Sequence, residues 1–85
     1  MTQLELTNKL KEMYYTAENN KATMVHLFGI IYYKELKRDN ISIKDILLDS
    51  GLPQSYYTEI NKGINLARYV ELKKEFKDEF AKFSK

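Results

Sequence analysis

A chain of 85 residues with a formal net charge of +2 makes one domain. At that size it buries only about 60 % of the surface its unfolded form exposes, so a second copy could usefully cover leftover apolar side chains. The absence of cysteine excludes disulfides, thiolate zinc sites and a cysteine nucleophile together. No run of 18 apolar residues exists, and the opening MTQLELTNKLKE lacks the basic-then-apolar order of a signal peptide. The expectation is a cytoplasmic protein with no membrane contact, in which Asn40-Ile41-Ser42 supplies a helix cap at Ser42 rather than a glycosylation site.

Thr2 starts the first helix as its cap, because Glu5 three residues on completes a capping box. Leu6, Leu10, Met13, Tyr14 and Ala17 recur at helical spacing as one apolar stripe, and Glu18-Asn19-Asn20 ends it. From Lys21 to Arg38 almost no polar face remains around Met24, Val25, Leu27, Phe28, Ile30, Ile31 and Tyr32, which marks a central helix. Gly29 in its interior costs about 1 kcal/mol relative to alanine, so another helix is expected to cross closely there. The basic end, Lys34 to Asn40, suits a helix C-terminus.

Ser42 caps a third helix whose buried side is Ile43, Ile46 and Leu47, with Asp45 placed for a variant capping box. Gly51 stops it in the left-handed conformation. Pro53 then suits the first turn of a fourth helix over residues 53–62, with Tyr57 and Ile60 inward and Gly63 ending it. A long fifth helix is expected from Asn65 into the eighties, with Leu66, Tyr69, Val70, Phe76, Phe80 and Phe83 near one side. The reading is an all-α, five-helix single domain over residues 1–85. It divides into an N-terminal helix (1–20), a trihelical core (21–63) and a C-terminal helix (64–85), in which Phe76, Phe80 and Phe83 are candidates for a twofold dimer.

Charge is unevenly spread. Residues 41–62 carry two basic and three acidic side chains, whereas residues 21–40 carry four and two. Any electropositive face must be gathered by the fold from Lys21, Lys34, Lys37, Arg38, Lys44, Lys62, Arg68, Lys73 and Lys74.

The run Ile41-Ser42-Ile43-Lys44-Asp45-Ile46, then Asp49-Ser50-Gly51-Leu52, Tyr57-Thr58-Glu59-Ile60 and Gly63, resembles the helix-turn-helix of LacI-type repressors and more loosely that of Cro-type repressors. The resemblance is at the level of the motif and covers about a quarter of the chain. It implies that the second motif helix enters the major groove of double-stranded DNA. Carried over by position, base contacts fall on Gln54, Ser55 and Glu59. Glutamine suits adenine, and glutamate accepts from the cytosine amino group. A hydroxyl supporting backbone contact falls on Thr58, and a cap that donates to phosphate falls on Ser42. Lys44, Lys62 and an outward Tyr56 complete the expected backbone contacts.

Each further signal has a plainer account. The pairs Tyr14-Tyr15, Tyr32-Tyr33 and Tyr56-Tyr57 place one ring in the core and one at the surface, since adjacent helical residues point about 100° apart. His26 sits among apolar neighbours with no second ligand of its kind. No Cys-His pair, phosphate-cradling glycine loop or metal-ligand cluster exists, so no enzyme, metal or cofactor is expected. The expected function is a small non-enzymatic DNA-binding transcriptional regulator, a repressor of the phage or bacterial kind. The alternative is a protein-interaction module or adaptor of the same shape, favoured by the slightly acidic motif and by Glu59.

Overall fold

The computed structural model describes residues 1–76. Their regular structure is all helical, with no strand among them: α1 (Gln3–Thr16), α2 (Lys21–Arg38), α3 (Ile43–Ser50) and α4 (Tyr56–Leu66). A fifth helical segment opens at residue 74. The all-α expectation therefore holds.

Local capping sets the first boundaries. The Thr2 hydroxyl accepts from the Glu5 amide at 3.1 Å, and the Glu5 carboxylate accepts from the Thr2 amide at 2.9 Å. These bonds, led by the one from the Thr2 backbone, hold the Glu5 carboxyl below its ordinary range. Ser42 caps α3 in the same way, its hydroxyl accepting from the Asp45 amide at 3.3 Å. At the far end of α3, Gly51 takes φ +73°. The next amide, Leu52 N–H, reaches back to the Leu47 carbonyl at 2.9 Å, which closes the helix as a Schellman turn and buries Leu52.

The core draws on every helix. Leu6, Leu10 and Met13 of α1 meet Val25, Phe28, Tyr32 and Leu36 of α2, Ile46 and Leu47 of α3, and Ile60 and Ile64 of α4. Each such Leu, Ile or Phe contributes about 1.5–3 kcal/mol relative to exposure. The expected tyrosine pairing is seen in part: Tyr32 is buried and Tyr15 exposed, while Tyr14 and Tyr33 are half-buried against the core.

α2 and α4 cross at glycine, as the interior Gly29 foretells. A methyl group on Gly29 would strike the backbone carbonyl oxygen of Ile60, and one on Gly63 would strike the carbonyl of His26. Two helices lacking side chains at the crossing come into backbone contact there. Gly63 is therefore a packing residue inside α4, not its terminator.

Three boundaries differ from expectation. α4 begins at Tyr56, because Pro53 to Ser55 form a tight turn in which the Tyr56 amide donates to the Pro53 carbonyl at 3.2 Å and the Tyr57 amide to that of Gln54 at 3.0 Å. It ends at Leu66, so Asn65 lies within α4 and does not cap a fifth helix. The fifth helical segment correspondingly starts nine residues later. Phe76 is 44 % exposed; Phe80 and Phe83 lie outside the described residues.

Candidate nucleic-acid interface

α3 and the head of α4 are joined at the surface by two contacts of Lys44. Gln54 is exposed, and its side-chain amide donates to the Lys44 carbonyl at 3.1 Å, which ties the head of α4 to the first turn of α3. The Lys44 ammonium lies 5.5 Å from the Tyr57 ring centroid, a cation–π distance. Ser42, Lys44, Ser55, Thr58 and Lys62 are all exposed as well. Apart from Glu59 and Tyr56, each residue expected to meet DNA is therefore exposed.

The tyrosine pair at the head of α4 is reversed. Tyr56 is half-buried, its ring edge-on to Tyr14 at 5.7 Å between centroids, with the two hydroxyls 3.4 Å apart. That hydrogen bond, assisted by burial, pushes the Tyr14 phenol above its ordinary value. Tyr57 is the surface ring, 39 % exposed. The reversal follows from register: starting α4 at Tyr56 sets Tyr56, Ile60, Gly63 and Ile64 on the inner side, and turns Tyr57 out by about 100°.

Glu59 is engaged by two neighbouring side chains at the surface. Its carboxylate meets His26 Nε2 of α2 at 2.5 Å and Lys62 Nζ one turn on at 3.5 Å, and the Glu59 side chain is only 29 % exposed. An acid on a DNA-facing helix, which the sequence leaves unexplained, thus serves as a link between α4 and α2. His26 was legible only as an isolated ring, because its partner lies 33 positions away.

The scattered cations do not all reach this face. Lys21 donates to the carbonyls of Tyr14 at 3.0 Å and Ala17 at 2.9 Å, finishing the end of α1. Arg38 bonds Asp39 at 3.2 Å, and Asp39 also accepts from the Met1 amino group at 3.0 Å. These contacts, the Arg38 bond foremost, hold the Asp39 carboxyl below its usual range.

The profile of the HTH-like domain matches residues 2–73, most of the chain. The chain belongs to the HTH-like domain family. Membership supports a helix-turn-helix and, at a coarse level, a DNA-binding regulator; a specific likeness to LacI-type or Cro-type repressors does not follow from it. Comparison with curated proteins and with solved structures gives no match. No helix among the described residues of this HTH-like domain is long and apolar enough to cross a membrane. No group of three or more His, Asp or Glu among them could hold a metal ion.

Proposed function

We propose that this HTH-like protein is a non-enzymatic, cytoplasmic transcriptional regulator that sets α3 and the head of α4 against the major groove of double-stranded DNA. What supports the reading is the exposure of Ser42, Lys44, Gln54, Ser55, Thr58 and Lys62 on two helices joined through the left-handed Gly51 turn. Ser42, Lys44, Thr58 and Lys62 meet the sugar-phosphate backbone, and Gln54 and Ser55 face base edges. Phosphate contacts supply affinity that falls with salt, by a slope of about −0.9 in log K per phosphate neutralised. Two copies paired through C-terminal apolar residues, Phe76 among them, would place their α4 helices about 34 Å apart, one DNA turn.

Titration of labelled duplex DNA at two salt concentrations tests the reading. Binding at low salt that weakens with Lys62→Ala and Gln54→Ala supports it, and no binding at low salt removes it. Light scattering after size exclusion tests the dimer, with Phe76→Glu expected to shift the mass to that of one chain.

A second reading, a protein-docking module, is favoured by one feature: Leu48 on α3 is 71 % exposed between Asp45 and Asp49 on the same helix. Stoichiometric capture of a protein partner from nuclease-treated lysate, with no DNA affinity, would decide for it.

A further inference from the structure

Helix register, rather than motif position, decides which side chain of α4 reads sequence. Position-by-position transfer from repressors selects Glu59, yet that carboxylate is directed at α2 and paired with His26 and Lys62. Two residues further, and so about 200° around the axis, stands Asn61. Its side-chain nitrogen donates to the Tyr57 carbonyl one turn earlier at 3.0 Å. Tyr57 in turn carries the Lys44 ammonium over its ring. Lys44, Tyr57 and the half-buried Asn61 thereby form a chain of contacts running from α3 along the flank of α4 opposite Glu59.

We infer that Asn61 is the base-reading side chain of α4 and takes adenine in the major groove, with Glu59 acting only as a tether to α2. The inference rests on the DNA-binding reading above. An asparagine amide has two N–H donors and a carbonyl acceptor. One N–H is spent on the Tyr57 carbonyl, which fixes the side chain along the helix. The remaining N–H and the carbonyl oxygen match adenine N7 and N6–H, the bidentate pattern that distinguishes adenine from the other bases. Tyr57 and Lys44 lie beside it for the sugar-phosphate backbone, which positions the contact without reading sequence.

The test selects bound duplexes from a randomised pool with the full chain, then measures affinity for the preferred duplex by fluorescence anisotropy. Asn61→Ala is expected to lose preference at one A·T pair and to bind the selected duplex about 5- to 150-fold more weakly. Asn61→Asp should move that preference toward cytosine, whose amino group a carboxylate accepts. Glu59→Gln should keep the wild-type preference, and Lys44→Ala should weaken all duplexes alike. Matching helical signals and melting temperatures confirm that each variant is folded. If the chain binds DNA but Asn61→Ala and Asn61→Asp both keep the wild-type preference, or Glu59→Gln loses it, the inference is overturned while DNA binding stands. If no duplex binds at low salt, both fall.

Discussion

The α2–α4 crossing and the α3–turn–α4 surface share one helix but impose opposite demands on it. At the crossing, backbones touch through Gly29 and Gly63 and nothing larger than hydrogen fits. On the far side of α4, Thr58, Lys62 and Asn65 are exposed and contribute little to packing. The difference teaches that α4 is positioned by what it lacks on one side, which leaves its other side free to be specified by chemistry.

Substitutions should separate the two regions cleanly. Phe28→Ala, beside Gly29 and with its ring tilted against Tyr32 at 5.2 Å between centroids, should cost about 3–5 kcal/mol in urea unfolding, enough to threaten folding of so small a domain. Gly63→Ala should cost about 1–3 kcal/mol despite the better helix propensity of alanine, because the new methyl meets backbone and not a flexible side chain. Thermal unfolding would register it as a fall of roughly 4–8 °C per kcal/mol. A Gly63→Ala protein as stable as wild type would disprove the close crossing.

On the opposite surface the effects shrink. Ser42→Ala removes the α3 cap and should cost about 1 kcal/mol without DNA present. Thr58→Ala and Lys62→Ala should stay within about 0.5 kcal/mol, so any loss of DNA affinity in them reports the interface and not the fold. Smallest is a pH effect at Asp39. Its folded carboxyl titrates below the unfolded one, so its contribution is present above the unfolded value of about 3.9 and fades as pH falls through the lower folded value. Asp39→Asn should flatten that part of the acid-stability curve, and an unchanged curve would count against the Arg38–Asp39 contact.

Much of the fold is legible in sequence because it is local. Thr2 with Glu5, Ser42, and Gly51 with Leu52 announce helix ends through hydrogen bonds a few residues long. Gly29 announces a crossing because its cost inside a helix needs a reason. What escapes a linear reading depends on partners distant in the chain. Gly63 looks like a stop signal until Gly29 is set against it. Pro53 suits a helix start, yet the first turn belongs to Tyr56, whose register is settled by Tyr14. Since Tyr56 and Tyr57 are chemically alike and adjacent, propensity alone does not say which faces inward, and the two exchange places. Glu59 was ambiguous for the same reason, its partner His26 being on another helix.

The grip of α1 on α3 has one more implication. The Tyr15 hydroxyl donates to the Ser50 carbonyl at 2.9 Å, and the Gln3 amide reaches Asp49 at 3.2 Å, so the last turn of α3 is bolted to a helix that precedes the motif by more than two dozen residues. A peptide excised as residues 41–66 would lose both fastenings along with the α2 floor beneath α4. Grafting this reading head onto another protein would therefore mean transplanting the leading forty residues as its chassis.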